Sequence, residues 1–294
     1  MVLHNTTIPP TTIFLKSNQA TNKINGTLNS DIVYELKNKI IIPNNVDCYI
    51  STNQFKFINA FYNVNSTCNK FYYTVYHSGI TESITVTIPN GNYSITAILQ
   101  YLNTATAIHH IDGTYLDTLF KINFTSSGGH TFYLQHGQND CLRILGFLVV
   151  GSTLGNTYTS DSVINLSGTQ CLYVSLENVN LSSNGCVSAQ NTNIIESINV
   201  EVLIGSSQSY SNTNNSKFKV YENFISSINV KIYDEYNNLV DFNGTDYFLS
   251  LGLIFVYKME YRPPTMLDLN NNGIDDNLEG NTMEMTNDKI EQTL

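Results

Sequence analysis

Apolar and polar residues alternate along most of this chain, which is the period of a β-strand with one buried face. Near the C-terminal end, Ile228, Val230 and Ile232 fall on one face of such a strand. Residues 246–261, DYFLSLGLIFVYKMEY, are apolar on both faces, which predicts a central strand covered on both sides. About ten such segments separated by turn clusters predict an antiparallel sandwich or barrel.

Two further segments predict long strands in the second half of the chain. One covers residues 162–176, SVINLSGTQCLYVSL. The other covers residues 194–204, IIESINVEVLI, where alternate apolar residues share one face. Those residues are Ile198, Val200, Val202 and Ile204.

One stretch breaks the strand pattern. Residues 88–103 read IPNGNYSITAILQYLN, in which Pro-Asn-Gly-Asn is strong turn chemistry. Ser94 is a good N-cap for a helix with apolar residues at Ile95, Ile98, Leu99 and Leu102. The pattern therefore predicts one short amphipathic helix that covers the open end of the sandwich.

Charge and composition narrow the class of protein. Only 13% of the 294 residues are charged, and 24 acids against 14 bases give a net charge of −10. No cluster of Lys and Arg stands out in the sequence, so a nucleic-acid groove is not expected. No apolar run reaches the length of a membrane span, and the first residues lack the pattern of a signal peptide.

The five cysteines are odd in number, widely spaced and without a C-x-x-C pair. This arrangement predicts free thiols in a reducing compartment rather than a disulfide framework or a metal site. They are Cys48, Cys68, Cys141, Cys171 and Cys186.

The sequence resembles the vertex capsid proteins, or pentons, of virophages and polinton-like viruses, which have a single jelly roll. The motif Ile88-Pro89-x-Gly91-x-Tyr93 with the following helix carries the resemblance, together with Leu145-Gly146-Phe147. Strand segments at 163–174, 194–202 and 228–255 complete it. The resemblance covers residues 84–258 and lies in the order and character of the segments rather than in a unique motif.

The resemblance implies an all-β, antiparallel single jelly-roll sandwich with one or two short helices and extended terminal arms. It implies a non-enzymatic homopentamer at icosahedral vertices that contacts trimers of the major capsid protein. The resemblance also implies that the protein is located in the virion, which is assembled in the host cytoplasm. The expected parts are an N-terminal arm at 1–30, a jelly-roll domain at 31–262 with outward insertion loops, and an acidic tail at 263–294.

Two other functions fit the same residues. A β-sandwich lectin or adhesin would bind host-surface glycans, although the chain has no Trp, a common sugar platform. A minor capsid cement protein of the same viral lineage would share the fold. No cofactor is expected, because the chain has none of the nucleotide-binding, nucleophile-elbow or zinc-histidine motifs.

The C-terminal sequence DLNNNGIDDNLE matches an EF-hand-type calcium loop from Asp268 to Glu279. Gly273 would permit the sharp turn, and a lone loop with neutral ligands should bind Ca²⁺ weakly. A solvated acidic tail is the alternative interpretation. The expected ligands are Asp268, Asn270, Asn272, Ile274, Asp276 and Glu279.

Overall fold

Antiparallel sheet dominates the computed structural model, which describes residues 8–24, 29–182 and 193–258. The chain divides into two units, Met1–Phe255 and Val256–Leu294, and the first holds the features discussed below. The strands are β1 Ile8–Lys16, β2 Asn22–Lys23, β3 Asp31–Ile41, β4 Val46–Ile58, β5 Lys70–His77, β6 Ile80–Thr87, β7 Ile111–Leu116, β8 Lys121–Ser126, β9 Thr131–Gln135, β10 Thr157–Thr159, β11 Cys171–Leu176, β12 Ile194–Asn199, β13 Ser207–Ser211, β14 Phe218–Val220, β15 Phe224–Tyr233 and β16 Phe248–Tyr257. The helix α1 spans Ile95–Thr106, and 3₁₀ turns span Ser17–Gln19 and Ala107–His109.

Eight of these strands form a jelly roll. One sheet has the order β1-β16-β4-β13, and the second has the order β12-β11-β15-β3. If β1, β3, β4, β11, β12, β13, β15 and β16 are lettered B to I, these orders are BIDG and FEHC, the two sheets of a jelly roll. The predicted fold class is therefore confirmed by strand order alone.

The two strands with the clearest sequence pattern lie in the middle of these sheets. Ile228, Val230 and Ile232 of β15 are fully buried, as their alternation predicts. β16 lies between β1 and β4, and Leu249, Leu251 and Leu253 are buried in the same core. Hydrophobic patterning predicts such strands well because burial on a fixed face leaves little choice of residue.

Two predicted strands are shorter than their patterns. Over 162–176 only β11, Cys171–Leu176, is strand, because Gly168 adopts a φ of 70° that interrupts it. Over 194–204 only β12, Ile194–Asn199, is strand, and Leu203 and Ile204 are exposed. Apolar alternation therefore overestimated the length of both strands.

The N-terminal segment also differs from its prediction. Much of the expected arm at 1–30 is instead part of the jelly roll, because β1 pairs with β16 from Ile8 to Lys16. Leu15 is buried in the core, and Ser17 Oγ donates a hydrogen bond to Asp246 Oδ1 at 2.7 Å. Residues 1–7 and 25–28, as well as the expected tail at 263–294, lie outside the described residues.

Between β4 and β11 the chain builds a second set of sheets, here called the insert. Strands β6-β5-β9 form one sheet of the insert, and β10-β8-β7 form the other. They enclose a second hydrophobic core, separate from that of the jelly roll, with Phe71, Tyr73, Phe124 and Phe132 at its centre. The jelly roll therefore carries a folded insert, with its own core, between its strands D and E.

The helix α1 belongs to this insert and does not cover the end of the jelly roll. Ser94 caps it as predicted, since Ser94 Oγ accepts a hydrogen bond from Ala97 N at 3.2 Å. Its apolar face, with Ile98 and Leu102, packs into the core of the insert. The predicted position was wrong because an amphipathic face shows that a helix is buried, and does not show which of two cores receives it.

The described cysteines are all free thiols, as predicted; Cys186 lies outside the described residues. Burial raises the pKa of the Cys48 thiol to about 11 and that of Cys141 well above its usual range. Because the thiolate is the reactive form, both should resist a thiol reagent in the folded protein, while the half-buried Cys171 reacts before either of them. Mass mapping of labelled thiols with and without urea tests this, and equal labelling of Cys141 and Cys171 without urea would contradict it.

Candidate functional site

The insert is joined to the jelly roll by two connecting segments, residues 59–65 and 165–170, here called the neck. Asn63 fastens them together and is 8% exposed. Its Oδ1 accepts a hydrogen bond from Tyr93 N at 2.9 Å, and its Nδ2 donates to Tyr93 O and to Leu166 O, both at 2.9 Å. One side chain thus links both neck segments to the residue that precedes the cap of α1.

The turn Pro89–Tyr93 completes the neck. Val64 N donates to Gly91 O at 3.1 Å and Gly91 N donates back to Val64 O at 2.9 Å, a reciprocal pair like those of a sheet. Asn92 Oδ1 accepts a hydrogen bond from Asn63 N at 3.0 Å. The motif that carried the family resemblance therefore fixes the base of the insert.

A cleft of about 550 Å³ opens beside the neck, between the turn that follows β15 and the insert loops at 139–148 and 162–163. Its volume is in the range of ligand sites, and it lies at the boundary of two cores, where such sites are common. Most of the lining residues have polar side chains, and two have aromatic rings. The residues that matter most here are Tyr62, Asp140, Arg143, Asp234, Glu235 and Tyr236.

Three carboxylates shape the walls of this cleft. Asp234 Oδ1 accepts hydrogen bonds from Tyr236 N at 2.9 Å and from Asn238 N at 2.8 Å. Glu235 accepts one from Gln170 N at 3.2 Å, and Asp140 accepts one from the backbone N–H of Leu142 at 3.1 Å. These carboxylates order the loops and give the cleft an acidic character.

Arg143 is the one Lys or Arg among the described residues that line the cleft. Its side chain is exposed, and within residues 8–24, 29–182 and 193–258 it has neither an ion pair nor a side-chain hydrogen bond. A guanidinium with five donors and no partner inside the described chain is suited to contact another molecule.

An exposed apolar patch lies next to the cleft on the insert. Its members are between 53% and 77% exposed. Exposed apolar residues grouped on adjoining segments mark association sites more often than isolated ones do. The patch consists of Leu119, Phe120, Leu148, Val149 and Val163.

Hydrogen bonds donated by backbone N–H groups link the segments that carry this apolar patch. Ile164 N donates to Phe120 O at 2.9 Å, and Asp161 Oδ2 accepts from Leu148 N at 3.1 Å and Val149 N at 2.9 Å. Phe120 has a φ of 54°, an unusual conformation for a bulky residue. Backbone strain of this kind persists where its surroundings fix it and is concentrated at functional sites.

Four of the six histidines lie close together at one end of the insert, although no motif spacing in the sequence connects them. His77 and His130 stack with ring centroids 3.9 Å apart, and His110 lies 5.0 Å from His130. His109 Nδ1 lies 2.8 Å from Tyr73 Oη. The cluster could not be predicted from the sequence, because its members come from segments 20 or more residues apart.

The predicted calcium ligands, from Asp268 to Glu279, lie outside the described residues, so the calcium loop stays a prediction. Among the residues that the structure does describe, no group of three or more His, Cys, Asp or Glu side chains has the arrangement of a metal site. The described part of the chain also contains no helix long and apolar enough to cross a membrane.

Comparison with known proteins gives likenesses to solved structures alone. No protein-family model and no curated protein matches the chain. The selenomethionine-labelled mavirus penton protein matches with a TM-score of 0.44 and 10% identity over 84% of this chain and 100% of that chain. The flagellar cap protein FliD from Escherichia coli, as its D1-D2-D3 domains, matches with a TM-score of 0.15 and 13% identity over 85% of this chain and 56% of that chain.

The solved penton structure is of the class named by the sequence resemblance. At these TM-scores and identities, neither likeness carries an argument about function. The conclusions below therefore rest on the strand order, the neck and the surface of this chain.

Proposed function

We propose that this protein is a structural capsid protein, present as a homopentamer at icosahedral vertices and in contact with trimers of the major capsid protein. The observation that carries the proposal is the BIDG/FEHC strand order with a folded insert between strands D and E. Double-sheet jelly rolls are a recurrent architecture of viral capsid domains. The resemblance of the sequence to vertex proteins agrees with this architecture.

The surface supports association with many neighbours. A ring of five copies uses heterologous contacts, in which one patch meets a different patch on the next copy. Only 13% of residues are charged, so a contact face loses few hydrated charges when it is buried. The exposed apolar patch and Arg143, which has no side-chain partner among the described residues, are of the kinds enriched in protein interfaces.

A lectin or adhesin is the second candidate, and the cleft beside the neck favours it. A cleft of about 550 Å³ with the rings of Tyr62 and Tyr236 and the carboxylates of Asp234 and Glu235 has the polar and aromatic groups that sugars contact. This function and the capsid role are compatible, because five weak sites on one vertex would bind a glycan surface with high avidity.

Negative-stain imaging of the purified protein separates these candidates. We expect rings of five copies, because the capsid role requires closed heterologous contacts. A glycan array with the same preparation provides the second arm. Monomers that bind glycans and are absent from the vertices of assembled particles would contradict the capsid role.

A further inference from the structure

Four imidazoles from three separate segments meet at one end of the insert. His77 is the last residue of β5, His130 directly precedes β9, and His109 and His110 follow α1. The rings of His77 and His130 are nearly parallel, with an interplanar angle of 6° and centroids 3.9 Å apart. Neutral imidazoles tolerate such a stack, whereas two imidazolium rings at this distance repel one another.

The surroundings of His130 offer little support for a positive charge. Its Nδ1 is buried and has no hydrogen-bond partner within the described part of the chain. The charged or titratable groups that act on it are His77 on β5 and His109 and His110 beyond α1, all of the same sign once protonated. A second bound proton therefore adds repulsion and leaves a buried donor unsatisfied.

We propose that this histidine cluster is an acid-sensitive fastening that holds the β5–β6 and β8–β9 turns together when neutral and releases them when protonated. The cluster would then open one end of the insert on acidification, as histidine clusters do in other pH-responsive proteins. The jelly roll contributes none of the four rings, so its core stays closed. This behaviour does not depend on the proposed capsid role.

The direction of the effect follows from the charge balance. Burial, followed by the charges of His77, His110 and His109, lowers the pKa of His130 from its ordinary value of 6.5. A group whose folded-state pKa is depressed contributes stability that is present above 6.5 and is lost as the pH falls through the lower folded value. The fastening should therefore weaken below the ordinary histidine pKa.

One carboxylate favours protonation of the cluster and so opposes its weakening in acid. Glu82 Oε2 on β6 lies 3.6 Å from His109 Nε2, so protonated His109 gains an ion pair. That side chain is exposed, and surface ion pairs contribute little. The stacked pair of His77 and His130 has no carboxylate partner in the described structure. Its repulsion therefore outweighs the ion pair, and protonation weakens the cluster.

Hydrogen–deuterium exchange at about pH 7.5 and about pH 5.5, corrected for intrinsic rates, tests the fastening. In the wild type, protection of the turns at 77–80 and 126–131 should fall at the lower pH, by at most about tenfold, because pH 5.5 lies one unit below the ordinary histidine pKa of 6.5 and each unit is a factor of about ten in the opening equilibrium. The variant His130→Phe keeps a stacked ring without a titrating group, and its protection should change by less than about twofold.

His136→Gln is the matched control. His136 lies in the insert outside the cluster and pairs with Asp140, with Nδ1 and Oδ2 3.2 Å apart, so this variant should open like the wild type. Equal losses of protection in His130→Phe and His136→Gln, or no loss in the wild type, would overturn the proposal. NMR titration of the wild-type rings is independent of any variant, and half-titration of His130 at or above pH 6.5 would also overturn it.

Discussion

Replacing Gly146 by alanine should destabilise the insert by about 3 kcal/mol or more, a large fraction of the stability of an ordinary domain. Gly146 has a φ of 87°, where an L-residue costs about 1–2 kcal/mol. A Cβ built there would lie 2.3 Å from the Ser162 carbonyl oxygen, so the backbone at 162 must move. Ser162 N also donates to Gly146 O at 2.9 Å, and that movement would strain this hydrogen bond.

The control for this change is Gly129→Ala. Gly129 has a φ of 80°, and no atom lies within 4 Å of a Cβ built there, so only the backbone cost of about 1–2 kcal/mol applies. Urea unfolding of both variants, followed by tyrosine fluorescence, measures the difference. If Gly146→Ala costs no more than Gly129→Ala, the close contact between Gly146 and Ser162 does not exist.

Asn63→Leu should cost about 2–4 kcal/mol, because three hydrogen bonds of a buried side chain are lost together and their backbone partners stay unpaired. The loss should appear first at the neck, where Tyr93 and Leu166 are released. Limited proteolysis should then cut near residues 59–65 or 165–170 faster than in the wild type. Jelly-roll strands far from the neck should keep their protection.

Asn69→Ala is the matched control at the same turn. Asn69 Nδ2 donates to Asn90 Oδ1 at 3.1 Å, but this hydrogen bond is exposed, so its loss should cost less than about 0.5 kcal/mol. The comparison distinguishes the buried hydrogen bonds of one asparagine from the exposed hydrogen bond of another. A cost for Asn63→Leu as small as that of the control would show that Asn63 does not fasten the insert.

The central strands of the jelly roll could be predicted from the sequence, and the insert could not. The leucines of β16 share the face that packs into the jelly-roll core, and the strand lies between β1 and β4, so few residues other than apolar ones fit there. β6, in contrast, carries a strand pattern over Ile80–Thr87 although most of its side chains are exposed. Local alternation identifies strands, but assigning them to one of two cores depends on pairings between distant segments.

The candidate site likewise has parts that could be predicted from the sequence and parts that could not. The turn at Pro89–Tyr93 was visible as turn chemistry, yet its role at the neck depends on Asn63, which lies about 30 residues earlier. The apolar patch and the histidine cluster also join residues from separate loops. A period of two or 3.6 residues carries no record of such contacts. Of the sequence signals, the one that fell at the neck was the motif at residues 88–93, which carried the family resemblance.

Light scattering of the purified protein over a range of concentrations measures whether the chain closes a ring of five. We expect a particle of about 165 kDa, five times the chain mass of 32.9 kDa, because a vertex protein closes a ring through heterologous contacts. A particle of one chain mass at every concentration, with no five-membered ring in assembled shells, would contradict it.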